Sequence, residues 1–269
     1  MTILYSSLIR TFNSADTLPD TLHSLSTQTI SPHEYIFVDS GSTDATLTML
    51  PDGYILHKYI GLDFNYSEAL NQGLRHVSTD YVLIISSHTI LMDRRAIEYA
   101  LNLLTTNALI GAAYFSTDNT GDLRYKLIDK MSFDGYNGLW NTCSLIKVNL
   151  LRQRQFRREV FTAEDQEWAR WLLHCDNKKT ACIDGAGMNN SRNGNATKYG
   201  RRKQTNEYIA IAYFANRRLL GIRNLSKIAY NVIKPTPRIS MANRLLNLNI
   251  LFALIVCHFV EPKYKSKYF

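Results

Sequence analysis

Short apolar runs alternate with amphipathic stretches over roughly the first 116 residues. Runs at 2–9 (TILYSSLI), 34–39 (EYIFVD), 53–58 (GYILHK), 80–86 (DYVLIIS) and 109–116 (LIGAAYFS) have the length and apolar content of strands. Helical spacing fills the intervals. In 14–28, Leu18, Leu22 and Leu25 form a stripe that Ser14 or Asp16 can cap; 42–50 offers Ser42 or Thr43 as cap with Asp44 in the first turn; 65–77 and 93–106 follow. This alternation predicts an α/β fold, a mainly parallel sheet covered by helices on both faces. Ligands of such sheets bind at the carboxyl ends of the strands. That rule singles out Arg10–Thr11, Asp39 and Ser86–His88.

The pattern loosens afterwards. Residues 116–138 read as an insertion or long loop, 141–148 and 180–184 as strands, and 162–175 as a helix. In that helix Thr162 is the cap, Glu164 and Asp165 sit in the first turn, and Trp168, Leu172 and Cys175 share a face. A Gly/Asn-rich loop, 185–203, turns basic, and 204–220 and 239–260 look helical on either side of KPTPR. The apolar segment 245–260 contains Asn247, Asn249 and His258 and falls short of a membrane span. It fits a packed core helix or a helix lying in a membrane interface, flanked by Arg238, Arg244, Lys263, Lys265 and Lys267.

Charge divides the chain further. Its 269 residues, 45% hydrophobic and 20% charged, suit one large domain or a domain with an appendage. The net charge of +8 is uneven: residues 192–269 hold 15 Lys/Arg against 2 Asp/Glu, and residues 1–191 hold 16 against 21. A basic module suits phosphates, whether of nucleic acid, an anionic membrane or a diphosphate substrate; it can also be a solvated face. Four cysteines without a CxxC pair suggest neither a zinc site nor a disulfide framework, and fit a reducing compartment. No secretory signal pattern opens the sequence. GxxxxGK[ST], GxGxxG and GxSxG are absent, which lowers the odds of a P-loop NTPase, a dinucleotide enzyme or a serine hydrolase.

Four landmarks occur in order: LIRTFNSADTLPDTLHSLSTQT, YIFVDSGSTDAT, DFNYSEALNQGLRHVSTDYVLIISSH and FTAEDQEWARWLL. Together they resemble the inverting glycosyltransferases of family 2, which have the GT-A fold, and among them the rhamnosyltransferase-like branch of bacterial surface polysaccharides such as capsule and O-antigen. The resemblance covers roughly residues 2–190 and implies a catalytic domain over 1–190; the charge division leaves 191–269 as a basic helical extension. It assigns the nucleotide-sugar site to Thr11, Asn13, Asp39, Gly41, Ser42, Asn71, Gly73, Ser86, Ser87 and His88. Asp39 would accept hydrogen bonds from the nucleobase, although Asp39–Asp44 also reads as a capped turn and nothing more. Asp165, with Glu164 beside it, would be the general base that takes the acceptor hydroxyl proton, with Trp168 in an apolar wall beside it. Judged locally, both acids also complement a helix N-terminus.

Where the family usually carries Asp-x-Asp, this chain has Ser86–Ser87–His88. The resemblance implies Mn²⁺ or Mg²⁺ held at that turn, and only His88 remains as a ligand there. The loop expected to bring a second histidine reads GMNNSRNG, with Asn189, Asn190 and Arg192. The departures point to weak or dispensable metal use. Arg192, Arg201 and Arg202, with Lys198 and Lys203 nearby, would neutralise the diphosphate instead. The expected partners are a UDP- or dTDP-sugar, a glycan or lipid-linked acceptor and the cytoplasmic face of the inner membrane. Nucleic acid is not expected, since the basic segment matches no recognition motif. The alternatives are a catalytically altered member that binds glycan or a partner, and a basic-tail binder of nucleic acid or membrane.

Overall fold

A computed structural model describes residues 3–190, 198–233 and 241–262. Its strands are β1 (Tyr5–Thr11), β2 (Glu34–Asp39), β3 (Ile55–Lys58), β4 (Tyr81–Ser86), β5 (Thr89–Leu91), β6 (Ile110–Phe115), β7 (Arg124–Ile128), β8 (Cys143–Lys147), β9 (Lys179–Asp184) and β10 (Met188–Asn190). Its α-helices are α1 (Leu18–Ser26), α2 (Tyr66–Leu74), α3 (Ala96–Thr106), α4 (Val148–Gln153), α5 (Glu164–His174), α6 (Lys198–Ala210), α7 (Ile222–Ile233) and α8 (Met241–Val256).

Eight strands form one sheet in the order β3-β2-β1-β4-β8-β6-β9-β7, and β5 pairs with β10 in a small second sheet. The half made of β3, β2, β1 and β4 is parallel, as the alternation predicts. Beyond β4 the sheet is mixed: β8 runs antiparallel to both β4 and β6, β9 parallel to β6, and β7 antiparallel to β9. Both faces are covered, so successive strand residues enter different cores. Leu83 and Ile85 pack with α1 and α3, while Val82 and Ile84 pack with α2, α4 and α5. Burial on both sides explains why these strands are unbroken apolar runs.

The reversal at β8 matters for function. Ile85 lies opposite Cys143, and the Ser86 amide donates to the Thr142 carbonyl at 3.0 Å. The start of β8 therefore sits beside the end of β4, on the same edge as the ends of β1 and β2.

Several boundaries differ from the sequence expectations. Residues 116–138 contain β7, an edge strand with four of its five residues exposed, which leaves no burial pattern to read. The predicted helix at 42–50 is a short 3-10 helix, Ala45–Met49, capped by Asp44 rather than Ser42 or Thr43. Ala163, not Thr162, precedes α5, and Cys175 is exposed past its end. Trp168 is buried beneath α5, its indole N–H donating to the Arg154 carbonyl, so it forms no wall beside the acids. The 204–220 helix begins earlier, at Lys198, widens into a π turn at Ile211–Ala215 and tightens into a 3-10 turn at Arg217–Leu220; α7 was not anticipated.

The last helices have their own small core of Ala212, Leu220, Ile228, Ile250, Leu254 and Cys257. They join the sheet domain through Ile211 and Ala215, packed with Ile128, Phe133 and Leu173. Segment 245–260 is thus packed on one side only: Phe252, Ile255 and Phe259 face out. Among the described residues no helix is long and apolar enough to cross a membrane.

Candidate active site

A cleft of about 600 Å³ opens at the edge where β1, β2 and β4 end and β8 begins. One rim comes from the loops after β1 and β2. The Asp39 carboxylate, 3% exposed, accepts from Thr11 Oγ1 (2.9 Å), Ser42 Oγ (2.5 Å) and the amides of Gly41 and Ser42 (both 2.9 Å). Gly41 takes a positive φ of 90°, which brings two consecutive amides onto one carboxylate oxygen. Asn13, itself left-handed, accepts from the Thr43 amide at 2.8 Å and donates its own amide to Ser42 Oγ. Asp44 accepts from the Ala15 amide and from Thr46, whose hydroxyl holds the Asp44 carboxyl below its usual range.

This geometry gives Asp39 a structural task of its own. Four donors within the chain engage Asp39, so its carboxylate organises the turn. Ser40, the next residue, lines the cleft. Asn71 and Gly73 also have structural tasks. Asn71 exchanges two hydrogen bonds with the Phe156 backbone, fastening α2 to the segment before α5. Gly73 lets α2 approach the sheet: a Cβ there would lie 2.4 Å from Leu8 Cδ1 and 2.6 Å from Val38 Cγ2. Neither is among the residues lining the cleft.

The opposite rim is the start of α5. Ala163 is left-handed (φ 56°, ψ 36°), a conformation that costs an alanine about 1 kcal/mol or more. Its carbonyl accepts from the amides of Gln166 and Glu167, and the turn aims Glu164 and Asp165 into the cleft. Asp165 accepts from the Asn141 amide at 3.0 Å and from the Gln166 amide at 2.8 Å. Burial, and then the neighbouring Glu164 charge, outweigh those bonds and push the Asp165 carboxyl up to about 7.

Glu164 accepts from Asn141 Nδ2 at 3.2 Å and lies 3.8 Å from Arg10 Nη1. The Arg10 guanidinium stacks on the Tyr66 ring, 4.9 Å from its centroid. Buried Asn141 is itself oriented by Ser144, and Gln166 clamps the preceding loop through the Gly138 amide and the Leu139 carbonyl. Sequence reasoning missed Asn141 and Gln166. A faint signal was present: Ser144 is polar within the apolar core of β8, and Asn141 is polar two residues before that strand.

Glu207 was also missed. It comes from α6 and lines the cleft with Lys203, 3.8 Å from its carboxylate. Burial raises the Glu207 carboxyl above its usual value against the pull of Lys203, with Glu164 adding in the same direction. Aromatic walls come from Phe64, Tyr66, Tyr136 and Trp140.

Ser86, Ser87 and His88 form the turn from β4 to β5 and line the cleft floor. Ser87 Oγ bonds with Ser14 Oγ at 2.7 Å, and the Ser87 carbonyl accepts from Thr17. This donor set does not fit a hard divalent cation, which favours carboxylate oxygens: the turn offers one imidazole and two hydroxyls, one of them already engaged. Among the described residues no three His, Cys, Asp or Glu side chains converge as a metal site. β10 pairs with β5 so that Asn189 lies opposite Ile90 and Asn190 opposite Thr89. Arg192 lies outside the described residues, as do the side chains of Lys198, Arg201 and Arg202. Of the five basic groups, Lys203 is the one seen at the cleft.

Comparison with known proteins gives a consistent picture. The family model described as Glycosyl transferase family 2 matches residues 6–162. A poly-beta-1,6-N-acetyl-D-glucosamine synthase from Staphylococcus epidermidis is 30% identical over 111 residues, covering 40% of this chain and 27% of that synthase. The chain thus spans about a quarter of the length of the curated relatives it matches. The mannosyltransferase PcManGT from Pyrobaculum calidifontis, solved with GDP-Man and Mn²⁺, superposes with a TM-score of 0.64 at 16% identity, covering 96% of this chain and 88% of that one. S. aureus TarS 1–349 with UDP-GlcNAc gives 0.58 at 15% identity, covering 94% and 81%. These likenesses show the fold: a mixed α/β GT-A architecture.

Proposed function

The chain belongs to glycosyl transferase family 2, and from that premise we propose that it transfers a sugar, with inversion, from a UDP- or dTDP-sugar to a hydroxyl of a polysaccharide or lipid-linked glycan. The observation that carries this reading is Asp165, a carboxylate raised to about 7 at the wall of a cleft large enough for a nucleotide sugar. The acceptor oxygen attacks C1 of the donor sugar. The bond from C1 to the diphosphate oxygen breaks, and its electron pair leaves with the nucleoside diphosphate. The hydroxyl proton passes to Asp165, whose two backbone donors fix its direction. Arg10 holds Glu164 in the wall, and Ser40 and Thr11 face the donor from the other rim.

Positive side chains stabilise the leaving diphosphate in this proposal, Lys203 with Arg192, Arg201 and Arg202, and Mn²⁺ or Mg²⁺ is dispensable. Supporting it is the poor fit of Ser86, Ser87 and His88 to a divalent ion. The same reading places the chain at the cytoplasmic face of the membrane, in synthesis of a surface polysaccharide of the capsule or O-antigen kind. The relatives' names, a poly-N-acetylglucosamine synthase and a UDP-GlcNAc complex, support a glycan product and a nucleotide-sugar donor.

Titration with UDP, dTDP, GDP and CMP, each in Mn²⁺ and in EDTA, tests the donor site. Stabilisation by UDP or dTDP that survives EDTA is expected; no response to any nucleotide would reject the reading. Alanine at Arg201 and Arg202 together should weaken donor binding, and normal affinity with normal turnover would remove their phosphate role.

A further inference from the structure

We propose that the outward face of α8, with the turn that continues it, is a docking surface for an anionic phospholipid membrane. This deepens the membrane placement above by assigning it a surface, and it does not depend on the transfer chemistry.

The helix is apolar on two opposite sides. Ile250, Leu254 and Cys257 turn inward against α6 and α7 and are buried. About 180° around the helix, at 100° per residue, lie Leu245, Leu248, Phe252, Ile255 and Phe259. All five are exposed, Phe252 at 70% and Phe259 at 83%. Five large apolar residues spaced i, i+3, i+7, i+10 and i+14 make one continuous stripe. Scattered surface leucines need no explanation, but a stripe of this kind marks a contact surface.

Charge decides what covers it. The segment 192–269 carries 15 Lys/Arg and 2 Asp/Glu, and Arg223 and Lys227 are exposed on α7, which packs beside α8. A second copy of the chain would set like charge against like charge. An anionic lipid surface takes up both the apolar stripe and the basic flank. α8 also packs on α6, which brings Lys203 and Glu207 to the cleft. A chain docked through α8 is therefore fixed to the membrane by the module that completes its active site.

Flotation of the full chain with phosphatidylcholine vesicles, with and without phosphatidylglycerol, tests the proposal. Binding is expected with phosphatidylglycerol, weakened by salt. Phe252→Ser should reduce it about tenfold, and adding Phe259→Ser should reduce it further. Arg223→Glu with Lys227→Glu should weaken binding without touching the apolar stripe. Both sets lie on the surface, and melting temperature and UDP binding, read on the same samples, report folding and the donor site separately. Absence of vesicle binding by the parent chain overturns the proposal. So does binding that survives both sets of substitutions, or a dimer that the Phe variants dissociate while vesicles remain unbound.

Discussion

The two rims of the cleft are built in opposite ways. At the ends of β1 and β2, polar groups are satisfied within the chain: Asp39 has four donors, Asn13 spans to Thr43, and Asp44 reaches Ala15 and Thr46. At the start of α5, Ala163 is strained, Glu164 and Asp165 sit side by side, and Asp165 is held in a setting that disfavours its charge. A rim that only needs to hold its shape can be saturated with hydrogen bonds. A base cannot, because a carboxylate fully stabilised as an anion has no use for a proton. With Asp165 as the proposed base, rigidity and reactivity fall to different strands and helices of one cleft.

The largest effect should come from the reactive rim. Asp165→Asn is expected to lower turnover by about 10³-fold, within the range for a general base, and to leave nucleotide affinity nearly unchanged. Turnover and calorimetric binding measured on the same preparation check this. A variant that keeps a tenth of its turnover would remove Asp165 from the chemistry and erase the contrast between the rims.

On the saturated rim the same kind of substitution should act on stability first. Asp39→Ala leaves buried donors unmatched and should cost about 2–4 kcal/mol of unfolding free energy, read by urea denaturation. Its neighbour Ser40→Ala should stay within about 0.5 kcal/mol while raising the donor KM, because Ser40 lines the cleft. Loss of donor affinity at full stability in Asp39→Ala would assign that carboxylate to the nucleobase. Gly73→Ala sharpens the point at smaller scale. The added methyl meets Leu8 and Val38 and should cost about 1–3 kcal/mol, with nucleotide affinity unchanged.

The strands and helices of the first half were legible because burial on both faces writes itself into the sequence as apolar runs, as in Val82–Ile85. β7 was not, since an exposed edge strand has no such signature; α8 was legible as a helix, but which of its faces is packed was not, because its outer stripe resembles its core. Proximity in the cleft was legible where it follows from strand ends: Thr11, Ser86, Ser87 and His88 all line it. It was illegible where it depends on strand direction or on a distant helix. Asn141 reaches Asp165 because β8 runs antiparallel to β4, and Glu207 arrives from α6. Motif matching gave Asp39, Asn71 and Gly73 to the ligand, and their hydrogen bonds and close contacts show that they also hold the frame together. A motif marks what a site needs in order to stand as well as what it uses.

The smallest expected effect is the most specific to the reactive rim. With Asp165 as the proposed base, turnover needs it ionised, so the rate should rise with pH through a midpoint near 7 and level off above it. The groups facing Asp165 are Glu164 on its own helix, Glu207 on α6 and, as partners of those two, Arg10 and Lys203. Negative charge on Glu207 disfavours the Asp165 anion, so Glu207→Gln should move the midpoint down by about half a unit. At a pH below the midpoint the variant should then turn over faster than the parent, and above it the two should match. A midpoint that does not move would mean that Glu207 carries no charge where Asp165 titrates, leaving α6 to shape the cleft without tuning its base. A midpoint that rises would reverse the sign and mean that Glu207 holds the Lys203 ammonium near Asp165, so that losing the carboxylate also removes a positive charge that favours the Asp165 anion.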